Sequence, residues 1–187
     1  PKFDWPRIDI PKLSFPITDI VLEEVKKNEN IAIAQIKSAL ENNQDDVAAL
    51  IIEPIQGEGG DNHFRGEFLT QLRTICDENE IMLIFDEVQC GVGRTGFGFA
   101  AERCGVLPDI LTTAKSLAAG FPVGAVMANE AAASRAGRGS LGTTFGGGPM
   151  ACALVETVID TIETENLLEN VRTLSERIRS TCCVGPV

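Results

Sequence analysis

The chain has 187 residues, 44% of them hydrophobic and 23% charged, which is enough for one domain with a real core or for part of a larger one. With 27 acidic and 16 basic residues its net charge is −11, a balance that argues against a polyphosphate backbone as partner. No apolar run is long enough to span a bilayer and nothing resembles a cleavable signal, so neither nucleic acid nor membrane is expected to bind it.

Residues 1–20, PKFDWPRIDIPKLSFPITDI, carry four prolines, each fixing φ and removing an amide donor, which predicts an extended arm running to residue 27. Ile33, Ile36 and Leu40 recur at helical spacing and predict a helix over 28–43. VAALIIE (47–53) is a short continuous apolar run, the mark of a buried parallel strand. A helix over about 65–79 presents Phe68, Leu72 and Ile75 on one face, and IMLIFD (81–86) is the next buried strand. Strand, helix and strand in that order form a βαβ unit, with a right-handed crossover expected. DILTT (109–113) and PVGAVMA (122–128) read as further strands. Two helices follow, over 149–164 and 167–181; in the first, Ala153, Val155, Val158, Ile159 and Ile162 supply apolar surface. The fold class is α/β, with a mainly parallel sheet and flanking helices. A start at Pro and a stop at CCVGPV suggest a segment of a longer protein.

The stretch IFDEVQCGVGRTG (84–96) raises a choice between its glycines and its acids. Gly91, Gly93 and Gly96 match G-x-G-x-x-G, but a dinucleotide site needs those glycines at the strand end, where Asp86 and Glu87 would repel phosphate. FGFAAERC after Gly96 is also too short for the crossover helix of that motif, and a second match at Gly137, Gly139 and Gly142 follows no strand. The dinucleotide reading fails.

The acids do better. Ligands of open α/β sheets bind outside the carboxyl ends of the strands, and there Glu53 ends one predicted strand and Asp86 its neighbour. Either acid by itself could equally cap a following helix, whereas together they suit a site facing a cation. Lys115 follows DILTT at the same kind of rim, among Ala114, Ser116, Leu117, Ala118 and Ala119, where desolvation is expected to favour the neutral amine. An amine that can hold an aldehyde carbon, and an acid that can pair with a pyridinium nitrogen, together suit pyridoxal phosphate. The same amine can then act as general base and general acid in turn. GTTFGGG (142–148) offers hydroxyls and unhindered amides to a phosphate ahead of the helix at 149.

His63, the one histidine, lies in a polar stretch and reads as a surface or supporting residue. No metal site is expected. The six cysteines lack paired ligand spacings and read as reduced thiols, which predicts a cytoplasmic protein.

Four blocks, EPIQGEGG (53–60), IFDEVQCGVGRTG (84–96), LTTAKSLAAGFPVGA (111–125) and GTTFGGGPM (142–150), resemble the class III, or omega, aminotransferases of pyridoxal phosphate fold type I, in family order and at nearly family spacing. The resemblance implies that Lys115 is the Schiff-base lysine and Asp86 the partner of the pyridinium nitrogen. It implies that Gln89 hydrogen-bonds the cofactor's phenolic oxygen while Val88 packs on the ring. Thr144 matches the threonine that reaches the neighbouring subunit's cofactor phosphate, Glu53 a glutamate near ring and substrate, and Glu58 the gate of the substrate-binding arginine. A homodimer with shared sites is implied. So is a division into an arm (1–27), a partial cofactor-binding major domain (28–165) and a helix leading towards a small domain (166–187).

The family pattern GGNP reads GGGP here, with Gly148 before the proline. The family's Gly-rich phosphate loop, ring-stacking aromatic and carboxylate-binding arginine are not matched, so the segment alone is expected to turn over poorly or not at all. PKFDWPRID and GEGGDNHFR resemble lysine 6-aminotransferases, while LTTAKSLAAGFPVGA and GTTFGG are shared with acetylornithine and 4-aminobutyrate enzymes. The expected reaction moves an amino group from an omega-amine donor, lysine first and acetylornithine, ornithine or 4-aminobutyrate as alternatives, to 2-oxoglutarate. A pyridoxal phosphate aminomutase and an inactive fragment with a binding role remain the rival readings.

Overall fold

The computed structural model describes residues 5–137 and 139–182; residues 1–4 of the arm and the closing residues 183–187, with Cys183, lie outside them. Helix α1 (Asp19–Asn42) opens at Thr18, whose Oγ1 accepts from Val21 N at 3.3 Å. Residues 19–27, assigned to the arm from sequence, are therefore helical. The buried stripe of α1 is Val25, Glu29, Ala32 and Ile36. A charge on that stripe breaks the apolar period, which is why the first turns read as arm. Glu29 is tolerated there because Arg65 grips it through two bonds of 2.8 and 2.9 Å.

Strand β1 (Ala49–Ile52) leads into a small antiparallel hairpin, β2 (Ile55–Gln56) and β3 (Asn62–His63), which the sequence did not announce. Helix α2 (Gly66–Glu78) and strand β4 (Met82–Asp86) follow, then a run of turns and the short helix α3 (Ala100–Cys104). Strand β5 (Ile110–Thr113) passes into a 3₁₀ turn, Lys115–Ala118, before strand β6 (Ala125–Ala128) and the short helix α4 (Glu130–Ala133). Helices α5 (Pro149–Thr164) and α6 (Leu167–Cys182) complete the described chain.

The sheet order is β1-β4-β5-β6, with β1, β4 and β5 parallel and β6 antiparallel to β5. The reversal has a simple cause. Residues 114–124 hold only the 3₁₀ turn and a glycine turn, too little chain for the crossover that a parallel return requires. β1 is an edge strand with Ile51 58% exposed, so its continuous apolar run does not mean burial on both faces.

One face of the sheet carries the core. Phe68, Leu69, Leu72, Ile75 and Cys76 of α2 pack on Leu83 and Phe85 of β4 and Leu111 of β5, with Ala32 and Ile36 of α1 behind them. At the amino end of β5, Asp109 accepts from Arg73 at 2.7 Å, Leu83 N at 2.8 Å and Asn129 at 2.7 Å, locking α2, β4 and the end of β6 together. The carboxyl ends of the strands are thereby left as an open rim. Among the described residues no helix is long and apolar enough to cross a membrane.

Candidate active site

Strand register assembles the rim. Ile52 pairs with Phe85, so Glu53 follows the end of β1 beside Asp86 at the end of β4. Asp86 pairs in turn with Thr112, and two residues beyond Thr113, which ends β5, lies Lys115. The two carboxylates and the amine expected from sequence thus stand at the same edge of three neighbouring strands.

Each is held by its own local structure. Asp86 Oδ1 accepts from Val88 N at 3.1 Å, which orients the carboxylate as the chain turns out of β4. Glu53 Oε2 accepts from Gly57 N at 2.9 Å, tying the hairpin to the rim. Lys115 opens its 3₁₀ turn at φ 45°, an uncommon region for a residue with a Cβ, and buried Leu117 and Ala118 anchor that turn below it. Its Nζ donates to Gln89 Oε1. Gln89 is exposed, Val88 half-buried, and Gly57 buried against the Gln89 side chain.

Burial corrects one expectation. Lys115 is exposed, not desolvated, because its immediate neighbours Ala114, Ser116 and Ala119 are too small to cover its four-carbon stem. Two other expected residues stand apart from this cluster. Glu58 is exposed in the turn of the hairpin, and Thr144 is exposed in the turn ahead of α5. Helix α5 itself packs against the 3₁₀ turn that carries Lys115.

The chain neighbour of Asp86 has a different task. Glu87 is fully buried and accepts from the amides of Ala100 and Ala101, at 2.6 and 2.8 Å, at the amino end of α3. Burial pushes its carboxyl above the usual range, against the pull of those amides. The glycines of the fingerprint pack. A Cβ at Gly91 would meet Glu87 O at 2.7 Å, and Gly93 and Gly96, both at positive φ, lie against Leu168 and Arg172 of α6. Arg172 also donates to Gly96 O at 2.5 Å, so this turn is a seat for α6.

His63 lies in the hairpin, half-buried and edge-on to Phe15, with burial pushing its pKa down. Cys76, Cys90, Cys104, Cys152 and Cys182 are free thiols. Among the described residues no group of three or more His, Cys, Asp or Glu side chains could hold a metal ion. A groove of about 570 Å³ lined by Lys37, Leu40, Glu41, Asn43, Gln44, Asp45, Val47, Asn79 and Ile81 lies by the amino ends of β1 and β4, away from the rim.

The rim residues suit a pyridine aldehyde phosphate. An amine is reachable, a carboxylate is oriented at the end of the neighbouring strand, and at the position paired with Asp86 the buried Thr112 Oγ1 has no hydrogen-bond partner. Gly57 was missed by sequence reasoning. Its signal was a glycine two residues after Ile55 in EPIQGEGG, which many loop glycines share.

Comparison with known proteins bears on the same residues. The family description Aminotransferase class-III matches residues 4–182. An acetylornithine aminotransferase of Agrobacterium fabrum is 53% identical over 127 residues, 68% of this chain and 32% of the relative. One from Thermosynechococcus vestitus is 46% identical over 156 residues, 83% of this chain and 38% of the relative. The solved lysine aminotransferase of M. tuberculosis superposes with a TM-score of 0.87 at 36% identity, covering 96% of this chain and 41% of that one. The chain therefore spans about a third of the length of the curated relatives it matches.

Proposed function

The chain belongs to the class-III aminotransferases, a family that depends on pyridoxal 5′-phosphate, and on that premise we propose that it supplies the cofactor-holding rim of an enzyme moving an amino group from an omega-amine donor to 2-oxoglutarate. The observation that carries the reading is the placing of Asp86, Gln89 and Lys115 at one strand-end rim, with the Lys115 amine on the Gln89 carboxamide.

When bound, the cofactor supplies an aldehyde carbon and an electron-accepting ring. Lys115 Nζ would be the covalent anchor and, once released by substrate, would take a proton from the substrate carbon as general base and deliver it to the cofactor carbon that bore the aldehyde as general acid. Asp86 is the charge partner of the ring nitrogen and keeps a proton on it. Gln89 hydrogen-bonds the phenolic oxygen, and Val88 supplies an apolar surface for the ring. Glu53 lies toward ring and substrate, with Glu58 as gate for a substrate-binding arginine. Thr144 serves a neighbouring subunit's cofactor phosphate, in a homodimer with shared sites; its exposed turn, next to Phe145 at 88% exposure, supports that role. Residues 28–165 form the cofactor-binding part, and the enzyme works in the cytoplasm. The 187 residues alone turn over poorly or not at all.

Lysine is the donor proposed first, supported by the superposition of 96% of the chain on a lysine aminotransferase. Acetylornithine is the second reading, supported by 53% identity to an acetylornithine aminotransferase over a shorter stretch. Borohydride treatment of the complete enzyme, followed by peptide mass spectrometry, is expected to fix the cofactor to Lys115. A label elsewhere, or none, defeats the proposal. Rates with lysine, acetylornithine, ornithine and 4-aminobutyrate then rank the donors, and turnover without any keto acid would point to an aminomutase instead.

A further inference from the structure

We propose that Gly57 is a positioning residue for Gln89, acting by having no side chain of its own. The inference rests on the reading of Gln89 as a cofactor contact and extends the machinery to a residue outside the four expected rim groups.

Every backbone group of Gly57 is engaged. Its N–H donates to Glu53 Oε2 at 2.9 Å, and its carbonyl accepts from Gly60 N at 2.9 Å and Asp61 N at 3.0 Å. The hairpin it opens is stapled from within, since Asn62 Nδ2 donates to Gln56 Oε1 at 2.5 Å and to Gly59 O at 3.1 Å. Gly57 therefore cannot drift. Its Cα lies against Gln89 so closely that a Cβ there would overlap Gln89 Cγ, with Cδ at 3.0 Å and Cβ at 3.2 Å, and these are the three nearest atoms it would meet. The backbone places no bar on a side chain, because Gly57 is not among the positive-φ glycines. The nearest obstruction is the Gln89 side chain.

The backbone of Gln89 is anchored on both sides, while its exposed side chain is held by Lys115. It sits between Val88, whose amide is held by Asp86, and buried Cys90, whose sulfur lies 3.8 Å from Glu87 Oε2. Its carboxamide oxygen accepts from Lys115 Nζ. The hairpin backbone thus forms a wall beside the Gln89 stem, with the carboxamide directed at the Lys115 amine. A methyl group on the wall pushes the carboxamide off that aim without touching Lys115 or Asp86.

A double-mutant cycle in the complete enzyme tests this, with pyridoxal phosphate affinity of the apoenzyme and the visible absorbance of the loaded enzyme as readouts. Gly57→Ala is expected to weaken cofactor binding by about tenfold and to move the absorbance band. Gln89→Ala, which removes Cγ and Cδ, is expected to weaken it similarly, and the double variant no further than about twofold beyond Gln89→Ala. Gly66→Ala, at a glycine whose Cβ would meet nothing within 4 Å, serves as the unaffected control. Equal cost of Gly57→Ala in both backgrounds overturns the inference. If Gly57→Ala yields soluble protein only beside Gln89→Ala, that rescue supports it; insolubility in both overturns it. Native enzyme that binds no cofactor defeats the functional reading and this inference together, whereas an additive cycle in a cofactor-binding enzyme defeats the inference alone.

Discussion

Asp86 and Glu87 are adjacent in the chain and opposite in environment: Asp86 stands at the rim, while Glu87 is fully buried beneath the amides of Ala100 and Ala101. The alternation of a strand sends consecutive side chains to different sides, and here it separates chemistry from architecture. On the proposed function, Asp86→Asn in the complete enzyme is expected to lower turnover by about 10²–10⁴-fold while changing stability by less than about 0.5 kcal/mol. Glu87→Ala is expected to cost about 3 kcal/mol in urea unfolding, because two helix-end amides lose their acceptor in a dry site. A turnover defect in Glu87→Gln as deep as that of Asp86→Asn would contradict this division of roles.

Lys115 holds a backbone conformation that favours glycine, at φ 45°. In the complete enzyme Lys115→Gly should therefore unfold at a denaturant midpoint at or above that of the native protein, with a gain of up to about 1 kcal/mol, while, on the proposed function, losing borohydride labelling and turnover. Measuring both on one preparation separates a strained functional residue from a structural one. A clear loss of stability in Lys115→Gly would show that the amine holds the fold.

Burial by itself would raise the Asp109 carboxyl, but bonds from Leu83 N, Arg73 and Asn129 hold it below its ordinary value. For a carboxylate depressed in the fold, the added stability is present above the unfolded-state pKa of about 3.9 and disappears as pH falls through the lower folded value. Native protein is expected to lose stability as pH drops below about 4, and Asp109→Asn to lack that component. At neutral pH the same substitution should cost about 2 kcal/mol by urea midpoint. Parallel pH curves for the two proteins would sink this assignment.

Burial pushes the Cys76 thiol up to about 11 and the Cys90 thiol up to about 12, whereas Cys152 and Cys182 are exposed. Since the thiolate is the reactive form, iodoacetamide at neutral pH should label Cys152 and Cys182 well before Cys76 or Cys90. Timed mass mapping of the native protein checks the order. Early labelling of Cys90 would mean that the turn behind Gln89 opens readily.

Local pattern made much of this fold legible. The strands β1, β4, β5 and β6, the helix α2 and the two closing helices each follow from an apolar run or a helical period, and their ends fall within a few residues of the expected ones. Asp86, Glu53 and Lys115 were findable because strand ends in such sheets face ligands, so a charged residue closing an apolar run carries information. The early start of α1 was hidden by Glu29, a charge on a buried stripe whose partner, Arg65, lies 36 residues away.

The sequence by itself determined the element types, the fold class and the chemistry of the rim, because period, run length and residue type are local properties that near neighbours dictate. The tertiary structure alone decided that the fingerprint glycines seat α6, that Lys115 stands exposed on Gln89, and that Gly57 presses on the Gln89 stem. Each of these depends on which distant segment ends up alongside, and that is settled only when the whole chain packs at once.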